Sequence, residues 1–372
     1  MTPPPPGPPG VLHVPSAILR ATRPGEKAAF AQVCAVFDAE GQAVPAARTT
    51  AEVGFLSLPC PCPAATALPQ RPGRWLFGGI GFHHFGHALI YSTARLWALD
   101  RLDPPPDGIL VFDRGAEAGT RPGTTRNLTA ILATLGIDLP VVTVGTDERV
   151  ETLIVPDEGI STAEALFSGT EAYQQFLRAR TDALPRLPGA PDIYVSRTGL
   201  GLQKPGLMFE DLIQSHLADA GYQVFHPQRH PLATQIATYR AAARIIGVDG
   251  SALHVVAMAA RPGTRVAVLG RRPYYPDAIA AQIRAIGGAD ATRLEATLAT
   301  YADSRFARSA NPWFASHALP DLGALGRQLA GAGFLDTVPD WPQPGPDKVA
   351  GRLAHVARKT GSPLVALADT KV

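Results

Sequence analysis

Apolar positions along the chain fall into short blocks, alternately strand-like and helix-like, and the alternation sharpens from residue 75 onward. Trp75–Ile80 predicts a strand that leads through Gly78, Gly79 and Gly81. From His84 to Leu102, Leu89, Leu96 and Leu99 recur on or near one helical face. Asp103 and the three prolines after it end that segment. Strands are expected at Ile109–Asp113, Val141–Val144 and Val150–Val155, and helices at Thr124–Leu135 and Thr170–Asp182. Pro185, Pro188, Gly189 and Pro191 then read as a linker.

Beyond the linker the rhythm is regular. Strands are predicted at Asp192–Ser196, Tyr222–His226, Arg244–Val248 and Arg265–Gly270. Between and after them run helices at Gly206–Ala220, Leu232–Ala243, Ser251–Ala260 and Pro276–Ile286. Strands alternating with helices of this length build right-handed βαβ units around a parallel sheet. The fold class is therefore α/β, in two blocks. The plan reads as a Pro-rich disordered tail over 1–10, an N-terminal α/β domain over 11–187, a C-terminal α/β domain over 188–290, and a helical extension over 291–372. The stretch before Leu76 carries short β-like runs at Gln32–Asp38 and Glu52–Leu58.

Composition narrows the function classes. With 46% hydrophobic residues in 372, the chain can bury real cores. A formal net charge of +2 gives no reason to expect a nucleic-acid partner. The 36 glycines and 36 prolines rule out a long coiled coil. Three cysteines make neither a disulfide framework nor a four-ligand zinc site, so reduced thiols and a cytoplasmic setting are expected. No apolar run approaches the ~18 residues of a membrane span, and the proline-rich start lacks the pattern of a signal peptide. Peripheral association with a membrane stays open.

Three strand-to-helix loops carry candidate chemistry. Ser196 to Gly206 combines Arg197 and Lys204 with three glycines, suited to an anion, although a solvated surface loop has the same composition. Gly247 to His254 joins a strand to a helix, with Asp249 and Gly250 in the turn and Ser251 as a natural N-cap. It matches neither a dinucleotide fingerprint nor a Walker loop. Gly81 to His87 places His83, His84 and His87 together, open to three readings: a metal site, a general base, or core packing. His87, Tyr91 and Arg95 are spaced to share one helix face. No Asp-x-Asp occurs, so a diphosphate would be held by cations and a helix N-terminus, with no metal cofactor.

These motifs, taken in order, resemble glycosyltransferase family 61, the capsular-polysaccharide-biosynthesis-like proteins. The resemblance rests on Gly78-Gly79, His84-Phe85-Gly86-His87 and Ser92 to Leu99. It continues through Tyr194 to Arg197, Glu210, Gly221 to Val224, Pro227, Gln235-Ile236 and Gly247 to His254. It implies two Rossmann-like domains with a cleft between them, the GT-B architecture. It also implies an inverting, metal-independent transfer from a nucleotide-sugar donor to a saccharide acceptor in surface polysaccharide biosynthesis. Carried onto this chain, Arg197 would contact donor phosphate, and Gly250, Ser251 and His254 would line the donor pocket; Lys204 and Asp249, from the same loops, are the further donor-binding candidates. Glu210 either meets the ribose or starts a helix. His87 falls on the signature histidine and is the candidate base, since an ordinary imidazole titrates near ~6.5. Tyr91 or His84 would orient it. Family members often carry Glu or Asp where this chain has Tyr91. A non-catalytic nucleotide-sugar or saccharide-binding role is therefore the alternative, and a metal-dependent hydrolase on His83, His84 and His87 the third reading.

Overall fold

The computed structural model describes residues 9–23, 25–28, 31–52, 54–64, 68–113, 124–201, 204–272, 275–309 and 311–367. Most of the expected tail, Val53 of the second early run, and Leu202 and Gln203 of the Arg197 loop lie outside them. The chain divides into two compact units, Met1–Leu184 and Pro185–Val372. The α/β expectation holds in both. No helix among the described residues is long and apolar enough to cross a membrane.

The first unit is built on six strands: β1 (Val11–Arg20), β2 (Ala35–Phe37), β3 (Gln70–Ile80), β4 (Gly108–Phe112), β5 (Val141–Val144) and β6 (Glu148–Pro156). Their order is β5-β4-β3-β6-β1-β2. The first four run parallel, while β1 is antiparallel to β6 and to β2, so this sheet is mixed. Helix α1 (Thr124–Thr134) leads from β4 to β5, and α2 (Glu171–Asp182) follows β6. Strand β1 has no clean period-2 signature because Ala17, Ile18, Leu19 and Arg20 are all buried between two neighbouring strands.

The helix expected over His84–Leu102 is broken into three short turns: Phe85–His87, a wider π turn at Ala88–Ser92, and a 3-10 turn at Leu96–Arg101. The cause lies in its side chains. The segment from Ala88 to Ala98 is buried throughout, and its polar members bond outward to other elements. Ser92 Oγ donates to Ile80 O at 3.1 Å, Thr93 Oγ1 lies 2.7 Å from Tyr173 Oη, and Trp97 Nε1 donates to Asp157 O at 3.0 Å. Arg95, fully buried, donates to the carbonyls of Ala46, Arg48 and Pro156 and faces Glu158 at 3.4 Å. Such competition pulls a buried helix out of regular i to i+4 geometry.

The second unit carries five parallel strands: β7 (Asp192–Val195), β8 (Gln223–Phe225), β9 (Arg244–Val248), β10 (Arg265–Leu269) and β11 (Asp290–Leu294). Their order is β8-β7-β9-β10-β11, the 2-1-3-4-5 order of a doubly wound sheet. Helices α3 (Glu210–Asp219), α4 (Leu232–Ala241), α5 (Ser251–Ala259) and α6 (Tyr275–Gln282) connect them. The remainder departs from the helical extension expected over 291–372. It contains β12 (Thr297–Asp303), β13 (Ser316–Pro320) and β14 (Leu364–Ala366), an antiparallel sheet, besides helices α7 (Leu322–Gly331) and α8 (Pro346–Thr360). Short, Ala-containing strands such as Thr297–Asp303 lack the β-branched runs that mark strands in sequence. This segment is built into the unit: Leu322, Leu325, Leu329, Phe334 and Trp341 share one apolar core with Tyr194, Ile213, Leu217 and Ile246.

Candidate functional site

In a doubly wound sheet the chain leaves neighbouring strands on opposite faces at one point, and ligands bind there beyond the carboxyl ends. Here that point lies between β7 and β9, so the loops after Val195 and Val248 flank it. Arg197 is half-buried two residues beyond β7. Its backbone N–H donates to Glu210 Oε1 at 2.6 Å, and Tyr194 Oη donates to the same oxygen at 3.0 Å. Glu210 is thus the bracket between strand end and helix α3. Arg197 Nη2 donates to Pro205 O at 2.9 Å, and among the described residues its buried Nε has no partner. Burial lowers the Arg197 pKa and raises that of Glu210, each opposed by the other's charge.

The guanidinium packs against the next loop. A Cβ on Gly250 would stand 2.5 Å from Arg197 Nη1, so only glycine leaves room for it. A pocket of about 220 Å³ opens beside Arg197, lined also by Lys204, Glu210, Asp211, His317 and Arg352. Lys204 is exposed at its rim. Just behind its wall, Phe209 takes a left-handed conformation with φ 57° at the start of α3, unusual for a bulky residue.

The remaining candidate residues of this unit have other partners. Asp249 is fully buried. Its carboxylate accepts from Arg271 N at 2.9 Å and from Arg272 Nε and Nη2 at 3.0 and 2.7 Å. It therefore holds the two arginines after β10. Arg271 is 7% exposed, its Nη1 has no partner among the described residues, and burial pushes its pKa down to about 9. His254 is buried on α5, with Nδ1 2.6 Å from Gln282 Oε1 and Nε2 2.8 Å from Tyr275 Oη. Arg272 covers the Tyr275 ring at 4.0 Å, which joins Asp249 to His254 in one network. Ser251 does not cap α5: Gly250 occupies the cap position, without a side-chain bond, and Ser251 is the first helical residue.

In the first unit, the three histidines follow β3. His83 and His84 are exposed and His87 is half-buried. The His84 and His87 rings lie 4.6 Å apart, and His87 lies 5.5 Å from Phe82 and 5.9 Å from Tyr91. Tyr91 is 3% exposed, its Oη 2.7 Å from Thr162 Oγ1. The His83 carbonyl accepts from Asn127 Nδ2 at 2.6 Å, tying the turn to α1. Among the described residues no three His, Cys, Asp or Glu side chains converge as metal ligands.

Several residues were not singled out by sequence. Arg271 and Arg272 follow a predicted strand directly, and that placement was the available signal. Asp113, buried, follows the last residue of β4, and Gly81 N–H donates to Phe112 O at 2.9 Å beside it. It brings a carboxylate to the same sheet edge as the histidine turn. His317 comes from a strand that the sequence does not reveal.

The fold and these loops define an α/β protein with a cluster of arginines at a sheet switch point. The family model for Glycosyltransferase 61 matches residues 85–267, and over that stretch the chain belongs to glycosyltransferase family 61. The match takes in His87, Tyr91, Arg197, Lys204, Glu210 and the loop from Asp249 to His254. Arg271, His317 and all of α8 lie beyond it. No curated protein matches the chain.

Proposed function

We propose that this chain moves a glycosyl residue from a nucleotide-sugar donor to a saccharide acceptor, with inversion and without a divalent cation, in cytoplasmic surface-polysaccharide assembly. Arg197 carries the donor half of the reading: it stands at the switch point of a doubly wound sheet, against Gly250 and beside a pocket shared with Lys204 and Glu210. The GT-B description of the two units belongs to the same proposal, supported by that sheet.

In the proposed step the acceptor oxygen bonds to the anomeric carbon. The bond from that carbon to the leaving diphosphate oxygen breaks and its electron pair departs with the diphosphate. The acceptor proton passes to His87. Arg197, Lys204 and the amino end of α5 stabilise the charge that develops on the diphosphate. Glu210, which also lines the pocket, suits the ribose hydroxyls. Asp249 acts one step back, holding Arg271 and Arg272 in place.

One observation favours a second reading, a binding protein without turnover: the position of the common family carboxylate is taken by Tyr91, buried and bonded to Thr162. Incubating the full chain with labelled UDP-, GDP-, CDP- and dTDP-sugars and oligosaccharide acceptors, with and without EDTA, separates the possibilities. Transfer that survives EDTA supports the proposal. Binding without turnover supports the second reading. Release of free sugar that depends on added metal supports a hydrolase instead.

A further inference from the structure

The pocket beside Arg197 has one wall from outside the family match. His317 lies on β13, and Arg352 and Val356 lie on α8. Strand β13 is fixed to the Arg197 loop by main-chain bonds: Ala318 N–H donates to Gly206 O at 3.0 Å, and Met208 N–H donates to Ala318 O at 2.8 Å. Leu207 and Ala318 form a parallel bridge between them. The backbone therefore sets where the imidazole stands relative to the guanidinium. On α8, Arg352 pairs with Asp211 through two bonds of 3.0 Å and covers the Phe209 ring at 4.5 Å. These contacts hold the left-handed Phe209, and with it the start of α3 that carries Glu210.

We propose, resting on the nucleotide-sugar reading above, that the segment beyond the family match completes the donor pocket and that His317 hydrogen-bonds the nucleoside diphosphate held by Arg197. His317 is 5% exposed and lines this pocket, and its ring has no hydrogen-bond partner among the described residues. A ligand oxygen in the pocket would give the ring the hydrogen bond that the described residues do not supply. The charged groups acting on the ring are Arg271 and Asp303, while Arg197, Lys204, Glu210, Asp211 and Arg352 share its pocket. Burial and the Arg271 charge lower its pKa to about 4, so near neutral pH the ring keeps one N–H donor and one acceptor nitrogen. That is the form that donates to a phosphate or hydroxyl oxygen without a change of charge.

The test is calorimetric titration of the full chain with UDP, GDP, CDP and dTDP, for wild type, Arg197→Ala and His317→Phe. Loss of one neutral hydrogen bond predicts about 2- to 12-fold weaker binding of the preferred diphosphate by His317→Phe. A folded His317→Phe with wild-type affinity, while Arg197→Ala loses affinity, overturns this inference and leaves the functional reading standing. Wild type that binds none of the four overturns the functional reading itself. Should His317→Phe fail to fold, nitrogen-15 histidine spectra of wild type decide: a His317 ring shift on adding the bound diphosphate supports the contact, and an unmoved resonance refutes it.

Discussion

Gly250→Ala is the sharpest perturbation of the proposed donor site, because the structure predicts which atom must move. The Gly250 backbone, at φ 160° and ψ −178°, is extended and open to any residue, so alanine brings no backbone strain. Its Cβ would stand 2.5 Å from Arg197 Nη1 and 3.4 Å from Cζ, with the next neighbour, Val248 O, at 3.9 Å. Ordinary contact needs about 3.5 Å or more. The guanidinium must therefore retreat by about 1 Å, which breaks its 2.9 Å bond to Pro205 O. A hydrogen bond from a charged donor to the diphosphate is worth about 1.5–3 kcal/mol. At 1.4 kcal/mol per decade, Gly250→Ala should weaken nucleoside diphosphate binding about 10- to 150-fold. Stability should move by no more than about 1 kcal/mol, since the loss of a glycine cap opposes the gain from a less flexible unfolded chain. Arg197→Ala should cost a similar factor, and the double variant little more, because both changes remove one contact. Calorimetry on the four proteins reads this directly. A folded Gly250→Ala with wild-type affinity, or effects that simply add, would refute the argument.

Three further outcomes follow from the same geometry. His87→Asn should keep diphosphate binding and lose about 10²–10⁴ in transfer rate, the range of a positioned acid–base group; near-wild-type turnover would remove His87 from the mechanism. Asp249→Asn leaves the buried Arg271 without its counter-charge and should cost about 3 kcal/mol in urea unfolding, whereas a loss below about 1 kcal/mol would mean the arginines hold themselves. His317 titrates near 4 when folded, against about 6.5 unfolded. Its contribution is therefore complete above about pH 6.5 and falls away as the pH drops toward 4. The stability gap between wild type and His317→Gln should shrink by about 3 kcal/mol from pH 7 to pH 4, and a gap that does not change with pH would contradict the burial of that ring.

What could be read from sequence follows the physics of each element. Strands β7, β9 and β10 stand out because parallel strands covered on both faces read as unbroken apolar runs, as in Ile245-Ile246 and Val266-Ala267-Val268, closed by Gly, Asp or Pro. Strand β11, Asp-Ala-Thr-Arg-Leu, has no such run, and β1 owes its burial to partners far along the chain. The site divides the same way. Arg197 and Asp249 are visible because loops after parallel strands are places to look. Their relation is not visible, because the 2-1-3-4-5 order alone makes the loop after β7 a neighbour of the loop after β9. Glu210 shows the consequence. Its position in sequence allows a ribose contact or the start of a helix, and the structure adds a third role, in which one of its oxygens takes the Arg197 N–H and the Tyr194 hydroxyl. A Glu210→Gln change would therefore disturb the phosphate side before it touched any ribose contact. Weakened binding in that variant cannot by itself be assigned to the sugar, and comparing UDP with uridine separates the two roles.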